Sequence, residues 1–199
     1  MRADSLSFAF RRHPRTLCAG LLAALFAGLV QAGPAVPEAD MRRRYYLELG
    51  RGEDQVRSTV LGINLPWSLD RMLLGGRLSG HWDAYVAQWR ADSPTAGGGR
   101  AAWTQLSLTP ALRLRYGDGR SSWFMEGGIG VSMLDRQYRS AHKSFSTRFN
   151  FSDHQAFGYS FGTHGEHELM LLVRHVSNAG IKKPNPGEDF LQLRYSLAY

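Results

Sequence analysis

Cysteine is almost absent from this chain. The single one, Cys18, lies in an apolar run near the start, so beyond that run no disulfide, thiolate nucleophile or thiolate metal ligand is available. Long apolar runs are equally scarce, and after residue 32 none approaches the roughly 20 residues of a transmembrane helix. A strong excess of one charge is missing too. The chain has 24 Lys and Arg against 17 Asp and Glu, and the first 32 residues hold four Arg and one Asp. The remainder therefore carries 20 − 16 = +4, too weak to argue for nucleic acid and compatible with an anionic lipid surface. No glycine-rich phosphate loop stands out, because "GGIG" (127–130) falls inside an alternating segment where glycines make room in a narrow interior. "HGEH" (His164, Glu166, His167), taken with His154, fits no common zinc spacing. Neither a metal nor a cofactor is implied.

The first 32 residues read as a secretory signal peptide. Arg2, Arg11, Arg12 and Arg15 make a basic start, "LCAGLLAALFAGLV" (17–30) is the apolar core, and Val30 and Ala32 are the small residues of a cleavage site. The domain proper is then 33–199, a length suited to one domain.

That domain alternates. In "WTQLSLTPALRLRY" (103–116) Leu106, Leu108, Leu112, Leu114 and Tyr116 fall on one face, and Gln105, Ser107, Thr109, Arg113 and Arg115 on the other. In "WFMEGGIGVSM" (123–133) Trp123, Met125, Ile129, Val131 and Met133 oppose Glu126 and Ser132. Near the end, Leu191, Leu193, Tyr195, Leu197 and Tyr199 oppose Gln192, Arg194 and Ser196. Period two over about ten residues is the signature of a strand. Eight such segments are expected, at 42–50, 55–65, 75–90, 101–116, 121–135, 146–162, 167–178 and 188–199.

A soluble sandwich would bury the apolar face; a membrane barrel would turn it to lipid and fill its lumen with the polar one. The polar face mixes both signs (Arg77, His81, Asp83, Arg113, Arg115, Glu126, Arg194), which favours a lumen. Trp67, Trp82, Trp89, Trp103, Trp123 and Tyr138 near strand ends are expected to form interface girdles. The fold class is therefore all-β, an eight-stranded antiparallel transmembrane β-barrel in the outer membrane. The connections at 66–74, 117–120 and 163–166 form its short side, and those at 51–54, 91–100, 136–145 and 179–187 its long-loop side.

"RHVSNAGIKKPNPGEDF" (174–190) carries the chemistry. His175 and Ser177 share the outward parity of Leu169, Leu171 and Val173 on the seventh strand. Residues i and i+2 stand about 7 Å apart with parallel side chains, so an imidazole reaches the hydroxyl. On the returning strand Asp189 is outward with Leu191, and Glu188 is inward. A hydroxyl, a base and an anion on one wall are the parts of nucleophilic acyl transfer, with Asn178 and the Gly180 amide as oxyanion donors. A catalytic group facing lipid calls for a lipid substrate.

"HVSNAGIKKPNPG" resembles the motif of the PagL-type lipid A 3-O-deacylases, and weaker similarity extends across the domain, including "LGRGED" (49–54). The resemblance implies an outer-membrane barrel that hydrolyses the 3-position acyl ester of lipid A in lipopolysaccharide and releases a 3-hydroxy fatty acid. It assigns His175 as base, Ser177 as nucleophile, and Asn178 with Gly180 as the oxyanion hole. The family's acid is a glutamate; an ungapped register puts it at Asp189, with Glu188 as the alternative. Lys182 and Lys183 are candidates for contact with lipid A phosphates. Two rival readings stay open. One is a non-catalytic structural or adhesive barrel, because the shorter acid could orient His175 poorly. The other is a phospholipase, which calcium dependence would reveal. The partners expected are lipopolysaccharide and outer-membrane lipid, with no nucleic acid; a homodimer is compatible with the sequence.

Overall fold

The computed structural model describes residues 39–95 and 98–199; the segment read as a signal peptide lies outside the described residues. Eight strands follow in order: β1 (Arg44–Gly52), β2 (Arg57–Leu73), β3 (Gly76–Asp92), β4 (Arg100–Tyr116), β5 (Trp123–Leu134), β6 (Phe149–Phe161), β7 (His167–Ser177) and β8 (Glu188–Ala198). Each pairs antiparallel with its neighbour, and β8 pairs with β1 to close a barrel. Arg44 lies opposite Ala198, so β1 begins and β8 ends at the same rim. The short turns share that terminal rim, and the long connections gather at the other.

One connection differs from expectation. Residues 66–74 are largely strand: β2 runs to Leu73 and turns tightly over Leu74 and Gly75, both at positive φ. Pro66 has no N–H to give the ladder, so the β2–β3 register shifts between Pro66 and Asp70 and then resumes. Past the bulge, the Asp70 carboxylate accepts two hydrogen bonds from Arg77, at 2.7 and 2.8 Å. Arg77, expected in the lumen, is therefore held at this hairpin.

The outer wall is apolar along its height, from Leu61, Leu106 and Leu108 to Val131, Leu171, Leu191 and Leu193. Near the terminal rim it carries a run of rings in contact, Trp123–Phe157, Tyr159–Phe161, Phe161–His167 and His167–Tyr195 stacked and Trp123–Tyr159 tilted. Rings at that level are what a membrane interface selects.

Inside, the lumen is filled in layers whose charges balance. Nearest the termini, Arg113 bonds Glu126 at 2.7 Å, Glu168 at 2.7 Å and Asp40 at 3.0 Å. Arg115 bonds Asp40 at 2.6 Å, and Arg44 lies 3.3 Å from Glu168. Asp40 enters from a short 3-10 turn ahead of β1. Burial by itself would raise its pKa, but Arg115 and Arg113 hold the carboxyl well below the usual carboxylate range. In the middle layer Arg194 bonds Glu48 at 2.7 Å and Asp83 at 3.0 Å, while Arg174 bonds Gln192 and Tyr85.

Buried pairs add little against an apolar alternative, yet removing one partner strands the other. Arg113→Met takes one cation from three carboxylates. It is expected to cost at least about 3–5 kcal/mol, read as a lowered midpoint for loss of the compact electrophoretic form on heating in detergent. An unchanged midpoint would mean the carboxylates are satisfied without it.

The third layer, at the loop rim, is apolar. Trp89, Trp103, Tyr138 and Phe145 pack edge to face inside the mouth, and Phe190 and Val176 join the same cluster. Trp89, Trp103 and Tyr138 are thus interior residues, correcting their expected place in a girdle. The physical reason is parity. Trp103 shares the inward face of Gln105 and Ser107, and Trp89 that of Tyr85 and Ala87. Tyr138 and Phe145 belong to the β5–β6 connection, which folds back over the opening. Val176 and Phe190 tie this plug to β7 and β8, so their outward neighbours stand on a rigid wall.

Candidate active site

β7 and β8 place His175 directly opposite Asp189, and β6 places Phe151 opposite Ser177 and Asp153 opposite His175. Val176 faces the plug, so His175 and Ser177 both face out; Phe190 faces the plug, so Asp189 does too. Three residues from two strands therefore meet on the outer wall at the loop rim. His175 Nδ1 lies 2.6 Å from Asp189 Oδ1, and Nε2 lies 2.9 Å from Ser177 Oγ.

These contacts fix the tautomer. An ionised carboxylate only accepts, so the neutral imidazole keeps its proton on Nδ1 and offers Nε2 to the serine hydroxyl. Ser177 is buried, whereas His175 and Asp189 are partly open, with side-chain exposures of 43% and 59%. The hydroxyl is sheltered while the imidazole edge can be reached from outside. The direct cross-strand pairing of His175 with Asp189 also explains how an aspartate reaches the imidazole. Opposed Cβ atoms lie about 5 Å apart, a gap that a short carboxylate and an imidazole fill. Gly187 is required beside them: its φ is +71°, and a Cβ there would come within 2.8 Å of His175 Cε1.

Glu188, the alternative acid, is turned the other way. It is fully buried beneath the rim, with the Tyr138 hydroxyl and Lys143 Nζ each 3.4 Å from its carboxylate. Inward parity separates it from His175.

Asn178 and Gly180 are placed beside the group, but their donors are taken up within the loop. Asn178 Nδ2 donates to Ser146 Oγ, Thr147 Oγ1 and the Lys182 carbonyl, at 3.0, 3.1 and 2.7 Å. Its Oδ1 accepts from the Gly180 N–H at 3.0 Å. Both expected oxyanion donors are thus engaged within the loop in this arrangement, where Asn178 shapes the turn. The Ala179 N–H donates to Ser177 Oγ at 3.4 Å.

The Lys182 side chain is exposed, and its backbone carbonyl is the part that holds the loop, accepting also from Ser146 Oγ at 2.7 Å. Lys183 lines a cleft of about 490 Å³ together with His142, Lys143, Gly180 and Asn185. The β5–β6 connection, which sequence reading treated as a plain loop, is part of the site. Ser146, Thr147 and Lys143 come from it, and Asn185 Oδ1 accepts from the Asn178 N–H at 3.0 Å. Lys143 Nζ bonds Glu53 at 2.7 Å. Burial lowers its pKa, but the carboxylates of Glu53 and Glu188 more than offset this and hold it above the ordinary lysine value.

Comparison with known proteins agrees with this architecture. A family model described as Lipid A 3-O-deacylase (PagL) matches residues 59–198. Lipid A deacylase PagL of Pseudomonas aeruginosa is 29% identical over 138 residues, 68% of this chain and 75% of that protein. Lipid A deacylase PagL of Bordetella bronchiseptica is 33% identical over 124 residues, and the match spans 62% of this chain and 65% of that protein. The crystal structure of the outer membrane enzyme PagL superposes with a TM-score of 0.64 at 26% identity, covering 78% of this chain and 99% of that one. A match over this much of the barrel, ending beyond the His175–Ser177–Asp189 group, means that the chain belongs to the lipid A 3-O-deacylase (PagL) family.

Proposed function

We propose that this barrel is an outer-membrane lipid A 3-O-deacylase, exported by residues 1–32 and working as a serine esterase with Ser177, His175 and Asp189. The observation that carries the reading is the pair of contacts on one imidazole, 2.6 Å to the carboxylate and 2.9 Å to the hydroxyl, on a wall that faces lipid. His175 Nε2 takes the Ser177 proton as Oγ attacks the ester carbonyl, and Asp189 steadies the imidazolium that forms. Backbone N–H groups of the 178–180 turn stabilise the tetrahedral oxyanion, with Ala179 beside Oγ and Gly180 joining once it leaves Asn178 Oδ1. Collapse breaks the ester C–O bond, and His175 protonates the sugar 3-oxygen, leaving an acyl-serine. Water, deprotonated by His175, then attacks this intermediate; the acyl C–Oγ bond breaks, the imidazolium returns the proton to Ser177 Oγ, and the 3-hydroxy fatty acid leaves. The sugar head lies at the loop rim, where the exposed Lys183 can meet phosphate, and the acyl chain lies on the apolar wall.

The test is mass spectrometry of lipid A after incubating detergent-folded protein with lipopolysaccharide in the presence of a calcium chelator. The expected product is lighter by one 3-hydroxyacyl chain, with free 3-hydroxy acid in the supernatant. Unchanged lipid A from a folded barrel would favour the non-catalytic reading, and activity only after calcium is restored would favour the phospholipase.

A further inference from the structure

We propose that Lys143 is a positioning residue for the deacylation, a clasp that holds Asp189 against His175 without touching substrate. This rests on the reading of Ser177, His175 and Asp189 as the catalytic group. Lys143 belongs to the β5–β6 connection, yet its Nζ joins three segments. It bonds Glu53 of the β1–β2 connection at 2.7 Å, the Gly187 carbonyl at 3.1 Å, and lies 3.4 Å from the buried Glu188 carboxylate. Gly187 and Glu188 are the two residues immediately before Asp189, and Gly187 also packs against the His175 ring.

Lys143 is itself fixed at its backbone. Its carbonyl accepts from the Ser140 N–H at 2.8 Å, and its N–H donates to Ser140 Oγ at 3.0 Å. The same connection grips the other arm of the catalytic loop through the Ser146 N–H to the Pro184 carbonyl, 3.1 Å, and Ser146 Oγ to the Lys182 carbonyl.

Glu188 explains why a cation is needed at this spot. Its carboxylate lies at the edge of the aromatic plug, and among the described residues Oε1 has no hydrogen-bond partner. Without Lys143 the carboxylate would either take a proton or draw toward water, since an unpaired buried charge is costly. Because strand parity alternates, any turn of Glu188 outward swings Asp189 off the imidazole. Lys143 prevents that movement from both sides, by neutralising the carboxylate and by holding the carbonyl before it.

The test uses full-length protein in detergent micelles with Lys143→Met, Lys143→Arg and the double variant Lys143→Met/Glu188→Gln. Two quantities are measured: kcat and KM on lipopolysaccharide, and the low-field proton resonance of His175 Nδ1 bonded to Asp189. Lys143→Met is expected to lower kcat roughly ten- to a hundred-fold, the scale of an ångström of misplacement, with KM little changed and the resonance lost. Lys143→Arg keeps the cation and restores most of both.

The double variant removes both charges, so it folds even where the single variant does not. It still lacks the bond to Gly187, so its kcat stays low and its resonance stays lost. Full kcat and an intact resonance in folded Lys143→Met, or in the double variant, would overturn the proposal. So would a loss confined to KM, which would make Lys143 a substrate contact. The resonance is read without turnover, so an inactive parent protein would count against the proposed function and leave the clasp to be decided on the spectrum.

Discussion

Ser177→Ala is expected to reduce kcat on lipopolysaccharide by about 10⁶-fold, the scale seen when the nucleophile of a serine hydrolase is removed. The hydroxyl oxygen is the only atom lost, and it bonds His175 Nε2 and approaches the Ala179 N–H. Forfeiting one such hydrogen bond costs about 1 kcal/mol of stability, so the barrel stays folded. The apolar wall and the cleft at Lys183 are untouched, so lipopolysaccharide binding stays within a few-fold of the parent. Chemistry alone should collapse. The measurement pairs single-turnover release of 3-hydroxy acid with binding of lipopolysaccharide to the same preparation. A variant that keeps a tenth of the activity would show that His175 activates water directly and that Ser177 is not acylated.

Much of this molecule was legible in the sequence, for reasons that differ from residue to residue. Leu106, Leu108 and Leu112 against Gln105 and Arg113 fix which face of β4 meets lipid, because strand period is two and any one-residue slip would bury leucines among charges. The same parity put His175, Ser177 and Asp189 outside and Glu188 inside, and that placement is observed. What the sequence hid were features set by long-range closure. Trp103 shares the parity of Gln105 and Ser107, so its inward face is readable locally, but the packing of Trp89 and Trp103 with Tyr138 and Phe145 into one plug is set only by the folded mouth. β2 ran past Pro66 because its neighbour β3 continues the ladder beyond the bulge, which no local signal announces.

Lys143 and Ser146 were invisible for a related reason. They lie more than 30 residues before the loop they hold; Lys143 sits in a polar stretch with no periodicity to read, and Ser146, at the expected start of the sixth strand, lies instead in the connection ahead of β6. Asn185 had a local signal that went unused. An asparagine between two prolines in the β7–β8 loop is free to offer its side chain to the backbone, and it accepts the Asn178 N–H.

Asp189→Asn is expected to lower kcat about 10⁴-fold, the loss that accompanies a wrong imidazole tautomer in a serine–histidine–acid group. The substitution keeps shape and removes charge. The asparagine side chain can turn its NH₂ toward His175 Nδ1, 2.6 Å from the present carboxylate oxygen. A donor at that place forces Nδ1 to accept, which moves the imidazole proton to Nε2, where it faces Ser177 Oγ and blocks proton transfer. The imidazolium formed during attack also loses the anion beside it. Glu188→Gln is the matching control: it also removes one carboxylate charge, but on the inward face, so whatever it costs must be transmitted through the strand and cannot reset the tautomer. The two variants are separated by the ring nitrogen shifts of His175, which report the tautomer, alongside kcat on lipopolysaccharide. If Asp189→Asn keeps activity within tenfold and its ring nitrogens are unchanged, the orienting acid lies elsewhere. Asp153, opposite His175 on β6, is then the next residue to exchange. If instead both the tautomer and the rate shift together, an aspartate one methylene shorter than the family's glutamate does the same work, because the direct cross-strand pairing of β7 with β8 has already closed the distance.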